Sequence, residues 1–158
     1  MTTVLESATP IQRIQLNRVV PEIYEAMLAF SAVTEKGVDP TLAELIKIRA
    51  SQLNHCAFCL DMHSHDARKQ GETEQRIYLL SAWEEAASLF TEKERAALAL
   101  TEEMTDLTRG GHVCDEVYAR AAGVFTDEEL AHVIGLITVI NSWNRFSVST
   151  RVRPPRRK

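Results

Sequence analysis

Asn54-His55-Cys56-Ala57-Phe58-Cys59-Leu60-Asp61-Met62-His63 gathers two of the three cysteines and two of the five histidines of a 158-residue chain into ten positions. Asn54 is a good N-cap, and no Gly or Pro follows until Gly71, so the run predicts a helix over 56–70. Helical spacing then places Cys56, Cys59, Leu60, His63 and Ala67 on one inward stripe. Asp61, Ser64, His65, Arg68 and Lys69 fall on a solvated face. A Cys-x-x-Cys on a plain helix is a different object from the one in thioredoxin-like βαβ units, and the rest of the chain decides between them.

Outward from this helix, the same reading repeats. Pro21 suits a first helical turn, and the apolar positions Ile23, Met27, Leu28 and Phe30 to Val33 predict a helix ending before Gly37. Asp39-Pro40 starts another, from Pro40 to about Leu53, with Leu42, Leu45, Ile46, Arg49 and Leu53 facing the core and Glu44, Lys47 and Ser51 on the other side. Thr73 to Leu80 makes a short helix, and Ser81-Ala82-Trp83 a connection.

Thr91-x-x-Glu94 is a capping box opening a helix from Glu92 to about Thr108, with Ala96, Leu100, Met104 and Leu107 as its stripe. Val113 to Ala122 is a further helix, closed by Gly123. Thr126-x-x-Glu129 is a second capping box, with Phe125 placed to staple onto Leu130. The segment Val133 to Ile140 is apolar nearly all round and belongs at the centre of the core or in a subunit interface. No segment alternates with period two, so the chain reads as all-α with six or seven helices, and a thioredoxin-type fold is excluded.

Composition sets the frame. With 45% hydrophobic and 25% charged residues, one compact domain is expected. Residues 1–20 read as an N-terminal arm, 21–150 as the helical domain and 151–158 as a basic tail. Met1 to Arg13 has Glu6 and no apolar run, and Val133 to Ile140 is too short to cross a bilayer, so a cytoplasmic address without membrane association is expected. Five of the last eight residues are Arg or Lys, and without them the formal charge of −4 becomes about −9. A body that acidic argues against a nucleic-acid surface. An odd number of cysteines without a paired framework argues against secreted-type disulfides.

The cysteine pair then has three readings. Two thiols one helical turn apart can close a disulfide, with His63 four residues on to take a proton. Cys56, Cys59 and His63 supply three zinc ligands, with His55, His65 or Glu44 as a fourth, but a structural site draws its second pair from a distant cluster, and none exists here. Plain packing is the third reading, and the one that suits the isolated Cys114.

The run Glu44, eleven residues, Cys56-x-x-Cys59, three residues, His63 resembles the alkylhydroperoxidase D (AhpD) core of the carboxymuconolactone decarboxylase superfamily. Asp66-Ala67-Arg68, Gly71 to Arg76, Trp83, Glu94 to Leu100 and Asn141-x-Trp143-Asn144-Arg145 extend the resemblance from about Pro21 to Pro155. It implies an all-helical AhpD-like bundle, a homo-oligomer (trimer or hexamer) and thiol-dependent reduction of a small-molecule hydroperoxide. A protein thiol or a small thiol is the implied reductant, with no cofactor and no metal.

Carried over by position, the resemblance makes Cys59 the peroxide-attacking thiolate, Cys56 the resolving thiol, His63 the group that deprotonates Cys59, and Glu44 the support of that proton relay. The stacking of Cys59 one turn before His63, with Cys56 a further turn away, fits this division. Phe58 stands where the best-described relatives have a second histidine, so one proton carrier is missing. Relatives without the cysteines decarboxylate a muconolactone, and the complete Glu, Cys, Cys, His set points away from that role. The alternative functions are a non-enzymatic zinc-binding or redox-sensing module, or a decarboxylase-like enzyme of the same superfamily.

Overall fold

Side-chain caps fix several of the helix starts. Asp39, Thr73, Thr91 and Thr126 each accept a backbone N–H from the first turn of the helix they precede, and Thr91 and Thr126 complete reciprocal capping boxes with Glu94 and Glu129. Each such cap contributes about 1 kcal/mol. In the computed structural model, which describes residues 11–157, these starts generate eight α-helices: α1 (Leu16–Val19), α2 (Pro21–Glu35), α3 (Pro40–Leu53), α4 (Ala57–Lys69), α5 (Glu74–Leu79), α6 (Glu92–Thr105), α7 (Asp115–Ala122) and α8 (Asp127–Thr150). Short 3-10 turns lie at Leu80–Ala82, Ala87–Leu89 and Leu107–Arg109. No strand occurs among the described residues. Most of the stretch read as signal-free, the first half of the arm and the final lysine lie outside them.

Helix α3 is the hub, packed against α4, α6 and α8. Being covered on three sides, it buries nine of its residues, including Glu44, Lys47 and Ser51, which amphipathic periodicity assigned to solvent. Periodicity reports one buried face, and a central helix has several. One core cluster joins α3, α6, α7 and α8 around Leu42, Ile46, Leu100, Phe125, Leu136 and Ile137. A second joins α3 and α4 to the 80–90 connection through Leu45, Ile48, Ala67, Leu80, Trp83 and Phe90. Burying each large side chain stabilises by about 1.5–3 kcal/mol.

Val133 to Ile140 lies in the middle of the core as expected, with Val133, Leu136, Ile137, Val139 and Ile140 all buried. Helix α2 approaches α8 closely at Gly135, where a Cβ would stand 2.7 Å from Thr34 Cγ2.

Four boundaries differ from expectation. The chain before Pro21 is not wholly extended, because α1 forms there. Helix α6 stops at Thr105, where Asp106 leaves helical geometry, and Leu107 is half-exposed instead of joining the stripe. Helix α7 begins at Asp115 with Cys114 as N-cap, two residues later than the apolar pattern suggests. Asn54 is not the cap of the cysteine helix: it is the C-cap of α3, and Cys56 is the N-cap of α4, its Sγ accepting the Cys59 N–H at 3.4 Å. Between them His55 takes a left-handed φ of 53°, which turns the chain from α3 into α4.

Candidate active site

The turn at His55 sets Cys56 and Cys59 at the start of α4, where unpaired backbone N–H groups favour negative charge. Both sulfurs are buried, and they lie 2.6 Å apart, close enough to pair with little motion of the backbone. Ser147 Oγ, from α8, stands 3.6 Å from Cys59 Sγ. The S–H of Cys56 points at Cys59, and this hydrogen bond is the largest influence holding the Cys59 thiol down to about 6. Burial opposes it, while Ser147, Asn144 and the charge of His63 assist. The same hydrogen bond and burial push the Cys56 thiol far up. The pair is therefore split into one ready thiolate and one thiol that keeps its proton.

Beside it runs a buried polar chain. His63 Nδ1 and Glu44 Oε2 are 3.0 Å apart, so the ring donates from Nδ1 to the carboxylate. The other Glu44 oxygen meets Lys47 Nζ at 2.6 Å, and Lys47 continues to Glu35 at 3.0 Å. Burial would raise the Glu44 carboxyl, but hydrogen bonds from His63 and Lys47, with their charges, hold it below the usual carboxylate range. Burial would likewise lower the Lys47 ammonium, and Glu44 and Glu35 reverse that.

A cavity of about 390 Å³ opens onto Cys59 and His63. Its walls are mainly apolar, from Tyr24 and Leu28 of α2, Phe58 and Met62 of α4, and Val139 and Trp143 of α8. Trp143 is fixed by an N–H donated to Ser31 Oγ at 2.9 Å and by an edge contact with Tyr24. Phe58, the departure from the family pattern, is wall material in this cavity.

All four residues singled out in the sequence, Glu44, Cys56, Cys59 and His63, thus fall in one place. Expectation and structure differ in the partners of Cys59. His63 stands at the same cavity, but the groups that hydrogen-bond the Cys59 sulfur are Cys56, Ser147 and Asn144, and His63 contributes through its charge. Ser147, Asn144 and Lys47 carried no role in the sequence reading. Asn144 is wholly buried, donates to Ser51 Oγ at 3.0 Å and accepts from Asn54 at 2.9 Å, which ties the end of α3 to α8 behind the cysteines. Among the described residues no three His, Cys, Asp or Glu side chains converge as metal ligands. No helix among them is long and apolar enough to cross a membrane.

Known proteins share this arrangement of helices. The crystal structure of ATU0492 from Agrobacterium tumefaciens, a protein of unknown function named as a candidate antioxidant-defence AhpD, superposes with a TM-score of 0.88 at 35% identity, covering 93% of this chain and 100% of that one. An AhpD-core, peroxidase-related protein from Ralstonia eutropha JMP134 shares the fold at TM-score 0.75 and 17% identity, covering 94% of each chain. The Bacillus subtilis protein YdfG is 44% identical over 139 residues, 87% of this chain and 93% of its own length. Residues 21–103 match the carboxymuconolactone decarboxylase family over the stretch that holds Glu44, Cys56, Cys59 and His63, and the chain belongs to that family, with the AhpD-like fold.

Proposed function

We propose that the protein is a thiol-dependent peroxidase that reduces organic hydroperoxides through a Cys56/Cys59 dithiol–disulfide cycle. The observation that carries this reading is the split pair with Cys59 at an apolar cavity: Cys59 is held down to about 6 by the S–H of Cys56, 2.6 Å away. At neutral pH Cys59 is then a thiolate, the form that attacks peroxide.

The Cys59 sulfur attacks the outer peroxide oxygen, the O–O bond breaks, and the alcohol leaves with a proton. His63, which lines the cavity, relays that proton, and Glu44 fixes its ring. The sulfenic acid on Cys59 is met by Cys56, which displaces water to form the disulfide before further oxidation. Two thiol equivalents from a reductant restore both cysteines. Apolar walls favour a hydroperoxide carried on a hydrocarbon or aromatic body over hydrogen peroxide.

A homo-oligomer, trimer or hexamer, working in a reducing compartment such as the cytoplasm completes the reading. Its support is the exposed apolar surface of α2, where Ile23, Leu28, Phe30 and Val33 are each at least 40% exposed. The test is turnover of cumene hydroperoxide, a fatty-acid hydroperoxide and hydrogen peroxide with dithiothreitol as donor. Consumption of the organic peroxides faster than hydrogen peroxide supports the proposal; no consumption of any by fully reduced protein refutes it.

A further inference from the structure

The two cysteines face different surroundings. Cys59 borders the apolar cavity and Cys56 does not; Cys56 borders a second, open cleft of about 700 Å³ on the other side of the α4 start, and Cys59 does not. That cleft is built by the C-terminal tail. After α8 the chain turns at Arg151 through a left-handed φ of 55°, and the Val152 N–H donates back to Ser147 O at 3.0 Å. Arg157 then grips Asp61 of α4 with two nitrogens at 2.8 to 3.1 Å. Anchored at both ends, the tail runs past the first turn of α4 and lines the cleft with Arg151, Arg153 and Arg156, beside His55.

Among the described residues no carboxylate lines this cleft, and none of the three guanidiniums has an ion-pair partner, whereas Arg49, Arg68, Arg76, Arg120 and Arg157 all do. Three unpaired cations on one wall, in a chain of net charge −4, repel each other unless an anion sits between them. The first turn of the 13-residue α4 adds its own positive end at the same spot.

We propose that this cleft binds the reductant, and that the reductant is a small thiol bearing carboxylates. The inference rests on the dithiol cycle proposed above. Carboxylates dock on Arg151, Arg153 and Arg156, and the thiolate of the same molecule attacks Cys56 Sγ. The Cys56–Cys59 bond breaks, and its electron pair leaves on Cys59, the sulfur that best carries charge. A second thiol attacks the mixed disulfide on its outer sulfur, Cys56 recovers a proton, and the reductant departs as its own disulfide with two electrons transferred. Peroxide and reductant thus reach the pair through two different openings.

The experiment needs no peroxide. The disulfide is made with diamide, and its reduction by mercaptosuccinate, 2-mercaptoethanol and cysteamine is followed by stopped flow, each rate divided by the thiolate concentration. At about 20 mM ionic strength, mercaptosuccinate is expected to react roughly tenfold or more faster than 2-mercaptoethanol, with cysteamine slowest, and the spread should collapse at about 500 mM. Changing Arg151, Arg153 and Arg156 together to Gln should collapse the spread, with the mercaptosuccinate rate falling most and the cysteamine rate least. Equal thiolate-corrected rates at low salt, or a spread that survives the triple change, overturns the proposal. The salt dependence of the unaltered protein decides the matter if the triple variant does not fold. A disulfide that diamide cannot form removes the dithiol cycle itself; a charge preference seen in a protein inert to every peroxide removes only the peroxidase reading.

Discussion

Glu44 and His63 meet at 3.0 Å across the α3–α4 interface, and the same carboxylate holds Lys47 with its other oxygen. One buried acid therefore orients the imidazole and neutralises an ammonium, so its removal has two separable consequences. Glu44→Gln should slow the reaction of Cys59 with peroxide by about 10- to 100-fold, the range expected for loss of a partner that orients a working imidazole. It should also cost about 3 kcal/mol of stability, because Lys47 is left buried with Glu35 alone. Stopped-flow peroxide kinetics reads the first effect and urea unfolding the second.

The Glu44 carboxyl lies below its usual range in the folded protein, so its stabilising contribution is present above the unfolded value near 4.5 and is lost as pH falls through the lower folded value. Lys47, raised when folded, contributes below about 10.5 and loses that contribution only as pH rises through its higher folded value. Urea midpoints should therefore fall more steeply below pH 4.5 in the wild type than in Glu44→Gln.

Cys59 should titrate near 6, and the order of its perturbations is specific. Cys56→Ala should move the midpoint up further than His63→Gln, because the Cys56 S–H is the nearest donor and the imidazole acts by charge alone. Alkylation rate against pH, in a background lacking Cys114, gives both midpoints. A larger shift from His63→Gln would return the histidine to the role of direct proton acceptor.

How much of this was legible in the sequence depended on whether the signal was local. Capping residues beside apolar runs gave α3, α6 and α8 within a few residues, since a cap and its helix are neighbours in the chain. The four residues Glu44, Cys56, Cys59 and His63 were found, but Glu44 only through family spacing: its own helix makes it look exposed, and it is buried because α3 is wrapped by three others. Ser147 and Asn144 reach Cys59 and Ser51 from α8, 88 and 93 residues away, and no local pattern announces such contacts. Asn54 was noticed as a cap and assigned to the wrong helix, because one Asn after α3 and before α4 suits either end.

Asn144 offers a test of that hidden support. It is wholly buried and serves Asn54 and Ser51 together, so Asn144→Ala should cost about 1 to 2 kcal/mol by removing one hydrogen bond from each, Asn54 keeping Ala50 O and Asn141 and Ser51 keeping Lys47 O, and should raise the Cys59 midpoint. Asn144→Asp, which keeps an acceptor for Asn54, should recover part of the stability while raising the Cys59 midpoint further through its charge.

The exposed face of α2 should be buried between copies in solution. Light scattering at micromolar concentration should give a multiple of 17.8 kDa, and Leu28→Glu with Val33→Glu should lower it. A monomer in the unaltered protein contradicts the homo-oligomer.

The central claim is that Cys59 attacks and Cys56 resolves, and intact-mass spectrometry of the two serine variants tests it most directly. After excess organic hydroperoxide, Cys59→Ser should keep its mass, whereas Cys56→Ser should gain one oxygen and then a second as the unresolved sulfenic acid is carried to the sulfinic state. Oxygen gained by Cys59→Ser at Cys56, with none gained by Cys56→Ser, would contradict the assignment of roles, and no oxidation at either position in the wild type would contradict the peroxidase itself.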